Sequence, residues 1–543
     1  RGVIMADGKE FWLFFSKRAV LIFILCIALF FFSILRVALI STTDYSAAGI
    51  PKNGLRLTVG RPRGTIYDCN RVPLTNNKEK IIAAVSPTPR AITAMREVLS
   101  EEAYADLLER LKGGKPVLCE VPEMVECDGI ICTKLYETTE IPAVHTLGYT
   151  DIDGHGVAGI QAAYDNILYS KDSISIFYES DAKGRPLEGV PPTLTNPTYS
   201  FKNGVVTTLD INIQNIVEKY SKNIERGAVV VAEAKTGKLR AVVSRPEFSV
   251  ENLTQYLQSG ESPLLNRAIS AYNVGSIFKP CVAIAGIENN KQWFTYTCTG
   301  RCQIIDRFFN CHRRSGHGSM NLRSALAESC NTYFFNYAFL IGKDEVYKTA
   351  KTLNFGQSLK LCDSIWTAKG NLPALESLDN IAYLANLSIG QGELLLSPVS
   401  MLTLYCSIAN DGKYYVPSLV EGTIQNGAYR NYDIGNPTRV MKSGTAKILR
   451  DYLQTVLTDG TGKEAKPQTV TAAGKTATAQ TGKYKDGKEI CQGWFCGFFP
   501  AENPQYVVIV FTEDIYSQKI SCAKIFAEIA DEITELTAKT KQK

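Results

Sequence analysis

The chain has 543 residues, a formal net charge of +5, and a composition of 45% hydrophobic and 21% charged residues. That length exceeds one ordinary domain and predicts two or three. The composition is that of a globular chain rather than a disordered or fibrous one. So small a positive charge, with no nucleic-acid-binding motif, gives no reason to expect a nucleic-acid partner.

Residues 19–35 are apolar apart from Ser33, and after Arg36 the apolar run continues through residues 37–40. About 20 such residues suffice to cross a bilayer. Lys9, Lys17 and Arg18 precede the run, which predicts a cytoplasmic N-terminus. The expected order is a cytoplasmic tail over 1–18, a transmembrane anchor over 19–41, and the rest of the chain outside the cytoplasm. A cleaved signal peptide is the alternative, because Ser46-Ala47-Ala48 imitates a cleavage site. The apolar run is longer than the ~7–15 residues of a signal core, so an uncleaved anchor is preferred.

Of fifteen cysteines, only Cys26 lies in that run. The even remainder permits disulfides without assigning them. Cys298, Cys302 and Cys311, with His312 and His317 nearby, raise the question of zinc. Their spacing lacks a paired Cys-x-x-Cys, so a disulfide, Cys298 to Cys311 first, is preferred to a metal. Free thiols in a reducing setting remain open.

Residues 42–60 read as a linker. Residues 61–70, from Arg61 to Asn70, read as a strand opening into an Asp/Asn turn. Residues 92–112 have helical periodicity and many charges, predicting a surface helix. Residues 145–149 read as a strand and 159–165 as a helix. No catalytic constellation can be assembled in this half, which is read as a structural or docking domain.

Near residue 205 the pattern changes. Residues 205–209 predict a strand, and Asp210 caps a helix that follows. Residues 227–233 and 238–244 predict two strands joined by a turn at Lys235-Thr236-Gly237. Helices dominate from 281 to about 455, followed by a strand over 506–512 and a last helix over 520–537. Strands at both ends with helices between predict an α+β layered domain whose sheet joins strands distant in sequence.

Three stretches carry chemistry. In Gly275-Ser276-Ile277-Phe278-Lys279-Pro280 a serine and a lysine three apart share a helix face. A neighbouring amine can take the proton of a hydroxyl that is otherwise a poor nucleophile. Pro280 suits the first turn of a helix, so Ser276 is expected near a helix N-terminus, where developing negative charge is favoured. Ser329-Cys330-Asn331 can present a hydroxyl and an amide to a shared site. Gly474 through Gly482 is a small-residue strand with Lys475 near its start; such an edge offers ammonium and hydroxyls to a carboxylate and backbone N–H to an oxyanion. Similar letters at Ser521–Lys524, Ser221–Asn223 and Lys235–Gly237 are read as ordinary surface or turn residues.

Taken together, Ser-x-x-Lys, Ser-x-Asn and a Lys-Thr-Gly-like triplet in this order resemble the signature of penicillin-binding proteins and serine β-lactamases. Ser388 through Glu393, Asp459 through Lys463 and Trp494 through Phe498 also resemble family landmarks, and Arg63 through Asp68 resembles the start of the pedestal domain in the class B branch. The resemblance implies an α+β penicillin-binding/serine β-lactamase-like transpeptidase domain over 205–543, a β-rich pedestal over 42–204, and a single-pass plasma-membrane anchor.

It further implies a peptidoglycan D,D-transpeptidase. Ser276 would be the nucleophile and Lys279 its base. Ser329 would relay a proton and Asn331 would hold the donor peptide's amide. Backbone N–H groups of Ser276 and Thr478 would hold the oxyanion. Lys475, Thr476 and Thr478, with Gly474 beside them, would receive the terminal carboxylate. Implied partners are stem peptides ending in D-Ala-D-Ala, β-lactams, the membrane and a glycosyltransferase; no cofactor or metal is implied. Two positions depart from the family. Ala477 stands where glycine is usual and Cys69 where arginine is common. A methyl at 477 is expected to crowd the substrate strand or the helix behind it, which makes a catalytically weak penicillin-binding scaffold the alternative reading.

Overall fold

A computed structural model describes residues 8–42 and 54–542 of the chain, apart from 182, 184, 188, 197, 198 and 519. The tail expected over 1–18 and the linker expected over 42–60 therefore lie partly outside the described residues. The chain divides into two units, each made of separated segments: residues 1–58, 82–132 and 175–195 in one, and 59–81, 133–174 and 196–543 in the other. Residues 59–81 and 133–174, assigned from the sequence to the pedestal, thus pack within the unit that holds the C-terminal half.

In the first unit the N-terminal helix Gly8–Thr42 carries an apolar stretch, Ala19–Leu39, long enough to cross a membrane and wholly exposed. The strand Gly54–Gly60 occupies part of the expected linker and lies in a three-stranded sheet with Ile174–Glu179 and Thr193–Thr195. The surface helix expected over 92–112 is two helices, Pro89–Val98 and Glu101–Leu111. Leu99 and Ser100 are extended between them, and the Ser100 hydroxyl accepts from the Ala103 amide. A serine that can bond its own backbone prefers a cap to a helix interior, so it restarts the helix here.

In the second unit Asp68 closes the foreseen turn, its Oδ1 accepting from the amides of Asn70 and Val72 at 2.8 Å each. The strand Thr65–Tyr67 before it pairs in parallel with Gly204–Thr207. Residues 145–149 are not a strand: Val144–Leu147 forms one helical turn. It stops at Gly148, whose φ is 79° and where a Cβ would lie 1.8 Å from the Ala158 carbonyl oxygen. Five residues are too few for periodicity to separate strand from helix.

The central sheet has five antiparallel strands: β1 (Gly227–Glu233), β2 (Leu239–Arg245), β3 (Ala473–Lys485), β4 (Lys488–Phe499) and β5 (Tyr506–Thr512), in the order β2-β1-β5-β4-β3. The first hairpin and the last strand stand where the sequence put them. β1 is inside the sheet, and its valines are fully buried, each contributing roughly 1.5–3 kcal/mol relative to exposure. Helix α1 (Ile211–Ser221) is capped by Asp210, which accepts from the amides of Asn212 and Ile213. It packs on one face of the sheet with the C-terminal helix Cys522–Gln542, whose Phe526 lies against Phe495 and Phe499 of β4. On the other face packs Pro398–Ala409, every residue of which is buried; a helix apolar on all sides belongs inside a fold.

The long helical stretch is interrupted by an arm the sequence did not suggest. Thr295–Cys298 pairs with Gly318–Asn321, and between them Arg301–Ile304 pairs with Arg307–Asn310. β3 is the edge strand of the central sheet, and its outer side borders the site described next.

Candidate active site

The first motif stands at the start of a helix, as expected. Gly275–Phe278 is a single 3₁₀ turn running directly into Lys279–Glu288, with Pro280 in the first helical turn. Gly275 has a φ of 61°, a left-handed conformation that glycine adopts without strain. Its amide donates to the Gly390 carbonyl at 2.8 Å. Gly390 in turn has no room for a side chain: a Cβ there would lie 2.0 Å from the Gly275 carbonyl oxygen. The glycine–glutamine–glycine stretch therefore backs the nucleophile turn by direct main-chain contact. From the other side, Trp494 Nε1 donates to the Asn273 carbonyl at 2.8 Å.

Lys279 is wholly buried. Its Nζ donates to the Ser329 carbonyl at 2.6 Å and to Asn331 Oδ1 at 2.7 Å, and lies 3.1 Å from Ser329 Oγ. Burial lowers its pKa to about 7, against an opposing pull from the thiols of Cys330 and Cys311. Near neutral pH the amine thus populates its uncharged form. Two of its partners, the carbonyl and the amide oxygen, can only accept; the third, the Ser329 hydroxyl, can also donate. A neutral amine can keep two N–H bonds to the carbonyl acceptors and turn its lone pair toward a hydroxyl. Ser329 itself has a φ of 55°, an unusual conformation for a non-glycine residue and of the sort that collects at functional sites. Asn331 opens the helix Asn331–Ile341.

A cleft of about 1450 Å³ brings the motifs together; its lining includes Ser276, Ser329, Asn331, Thr476, Ala477 and Thr478. Three of the sequence candidates do not reach its wall: Lys279, described above, Lys475 and Gly474. Lys475 is wholly buried, donating to the Thr476 carbonyl at 3.1 Å. Burial and the nearby Lys279 charge push its pKa well down. Strand alternation explains this: Lys475 points to the opposite side of β3 from Thr476 and Thr478. Gly474 is also interior; a Cβ there would lie 2.6 Å from the Phe495 ring and 2.7 Å from the Cys496 carbonyl oxygen. It keeps β3 close to β4 and does not face a ligand.

Ala477 lines the cleft and is nearly buried. A Cβ on Gly275 would stand 3.5 Å from the Ala477 methyl. That is an ordinary van der Waals separation, so the two positions are close neighbours across the cleft floor. Cys69 is half-buried, its thiol 4.0 Å from Asp210 Oδ2, with its pKa pushed up to about 12 by burial.

Sequence reading missed Thr461 as a site residue. Its hydroxyl is 3.0 Å from that of Thr476, and its amide donates to the Ala327 carbonyl at 3.1 Å. The signal was present in the Asp-Gly-Thr-Gly landmark, but the landmark did not say which residue faces the cleft. The arm was missed as well: Phe308, Phe309 and His312 line the cleft. The disulfide expected between Cys298 and Cys311 is not formed; both are free and buried, each with its sulfur 3.5 Å from His317 Nδ1.

The family model for the penicillin binding protein transpeptidase domain matches residues 227–533. Stage V sporulation protein D of Bacillus subtilis is 27% identical over 492 residues, covering 83% of this chain and 74% of that protein. The peptidoglycan D,D-transpeptidase MrdA of Salmonella typhimurium is 23% identical over 623 residues, covering 97% of each. The crystal structure of penicillin binding protein 3 from Mycobacterium tuberculosis, complexed with aztreonam, superposes with a TM-score of 0.65 at 22% identity, covering 89% of this chain and 97% of that one. With its three motifs on one cleft of this fold, the chain belongs to the penicillin-binding protein transpeptidase family, in its class B branch.

Proposed function

We propose that this chain is a peptidoglycan D,D-transpeptidase acting through a serine acyl-enzyme on Ser276. The observation that carries the reading is the convergence of Ser276, Ser329, Asn331, Thr476 and Thr478 on one cleft above a buried amine already bonded to the second motif. Ser276 attacks the carbonyl of the penultimate D-alanine, and Lys279, neutral near pH 7, accepts its proton. Backbone N–H groups of Ser276 and Thr478 stabilise the oxyanion. Ser329 passes the proton to the departing D-alanine, and Asn331 holds the donor peptide's amide. The hydroxyls of Thr476 and Thr478 receive the terminal carboxylate. Lys475 acts through the strand, as a buried positive centre behind those hydroxyls when protonated.

The amine of a second stem peptide then resolves the acyl-enzyme, forming the cross-link. Water in its place gives carboxypeptidase activity. β-Lactams acylate the same serine. Peptide cross-linking consumes nascent glycan strands, so a membrane-bound glycosyltransferase is the proposed partner. The cations before the apolar stretch support a cytoplasmic N-terminus with the cleft on the opposite side of the membrane.

A fluorescent penicillin tests the assignment. It should label the full chain at one serine, mapped by mass spectrometry to Ser276, and should not label Ser276→Ala. Labelling that survives the substitution refutes the nucleophile.

A further inference from the structure

The turn that carries Ser276 is a different kind of helix from the one that follows it. Gly275–Phe278 is 3₁₀ and Lys279–Glu288 is α. In a 3₁₀ turn the side chains at i and i+3 eclipse, whereas three α-helical steps leave them about 60° apart. The tight turn therefore sets the Lys279 amine in line with the Ser276 hydroxyl. A 3₁₀ turn has poorer hydrogen-bond geometry than an α-helix, so it persists where the α pattern is blocked.

Two residues block it here. An α-helical bond to the Ser276 carbonyl would come from the N–H of residue 280, four residues on. That residue is Pro280, which has no N–H. The Ser276 carbonyl takes the N–H of Lys279 instead, three residues on. The next carbonyl in the 3₁₀ ladder, that of Ile277, would need the N–H of Pro280 and cannot have it. Ile277 is wholly buried, and a buried carbonyl left without a donor is costly. The donor comes from another element. The hydroxyl of Tyr405, on the buried helix Pro398–Ala409, donates to the Ile277 carbonyl at 3.1 Å. Tyr405 is itself wholly buried, and a buried tyrosine hydroxyl needs such a partner.

We propose that Tyr405 is a positioning residue for acylation: its hydroxyl supplies the donor that Pro280 lacks and locks the 3₁₀ turn that aligns Ser276 with Lys279. The proposal rests on Ser276 as the nucleophile and Lys279 as its base. Tyr405 does not line the cleft, so it acts only through the turn. Phenylalanine at 405 keeps the ring and removes the hydroxyl. The Ile277 carbonyl is then left to the α pattern, in which it takes the N–H of Cys281 and turns Lys279 out of line with Ser276.

Tyr405→Phe should slow acylation about tenfold at saturating penicillin, with the pre-acylation Kd within about twofold of the original. The rate is read per acylatable molecule by intact mass, so a smaller folded fraction does not count as a slower step. Tyr414→Phe is the control. It removes another wholly buried hydroxyl, one that donates to the Thr352 carbonyl at 3.1 Å, and should leave the rate constant unchanged. An unchanged rate in Tyr405→Phe, or an equal loss in both variants, overturns the lock. Pro280→Ala restores an N–H at 280, so in that background Tyr405→Phe should cost only about twofold; costs that multiply overturn the link between the proline and the tyrosine. Amide exchange over residues 275–282, read without penicillin, should be faster in Tyr405→Phe than in the original chain, and unchanged exchange overturns the lock as well. Failure of the original chain to acylate at Ser276 overturns the proposed function; an original chain that acylates normally, beside an unaffected Tyr405→Phe, overturns the lock alone.

Discussion

The two walls of the cleft each hide a lysine, and they hide it differently. Lys279 and Lys475 are both wholly buried. Lys279 sits on a helix and meets two oxygens that can only accept and one hydroxyl, all from the second motif. Lys475 sits on an edge strand and donates to the carbonyl of its own neighbour. Burying an amine disfavours its charged form unless partners compensate. The helix wall is thus built to hold an amine whose proton comes and goes. The strand wall offers its amine little, and presents hydroxyls to the cleft instead. Burial lowers both pKa values, and what separates the two amines is where each is held: Lys279 among the groups of the second motif, Lys475 against its own strand.

Replacing the better-partnered amine should break this contrast most severely. Lys279→Met removes the base and leaves the Ser329 carbonyl and Asn331 amide oxygen without their donor. We expect penicillin acylation to slow by roughly 10²–10⁴-fold, measured by stopped-flow or by intact mass. Lys475→Met should cost less, because the threonine hydroxyls remain; a larger loss at 475 than at 279 would invert the comparison.

The protonation state sharpens it next. The pKa of Lys279 is lowered to about 7, so the amine is protonated and cannot accept a proton below that pH. Acylation should be level above about pH 8 and fall about tenfold per unit well below 7. A flat profile from pH 5 to 8 would remove Lys279 from the base role.

A third test reaches the helix wall from behind. Gly390→Ala places a methyl against the Gly275 carbonyl in a backbone conformation with a φ of 70°. We expect a loss of roughly 1–3 kcal/mol in stability by thermal unfolding, with slower acylation because the nucleophile turn shifts. The smallest effect belongs to the strand wall. Ala477→Gly deletes a nearly buried methyl and should destabilise by about 0.5–1 kcal/mol, with acylation within about twofold of the original. A large gain in turnover from that change would revive the scaffold reading.

Some of this was legible in the residues. The valine-rich strand Gly227–Glu233, the turn at Lys235-Thr236-Gly237 and the strand Tyr506–Thr512 follow from alternation and turn chemistry, which act within a few residues. Asp210 announced its helix because capping is a local bond. Other features failed for physical reasons. Residues 92–112 look like one helix until Ser100 bonds its own backbone and splits them. Residues 145–149 look extended until Gly148 must turn against Ala158. The arm over 295–321 pairs strands too short and too polar to show a period.

The sequence alone determined the order of three reactive motifs, the apolar N-terminal segment, and the first hairpin, capped helix and last strand of the C-terminal half, because each depends on neighbours along the chain. Only the tertiary structure decided which side chains share a space. It buried Lys475 on the side of β3 away from Thr476 and Thr478, pressed Gly474 against β4, brought Thr461 to Thr476, and set Cys330 beside Cys298, Cys311 and His317. Those pairings cross tens to hundreds of residues, where no local preference reaches and packing chooses the partner.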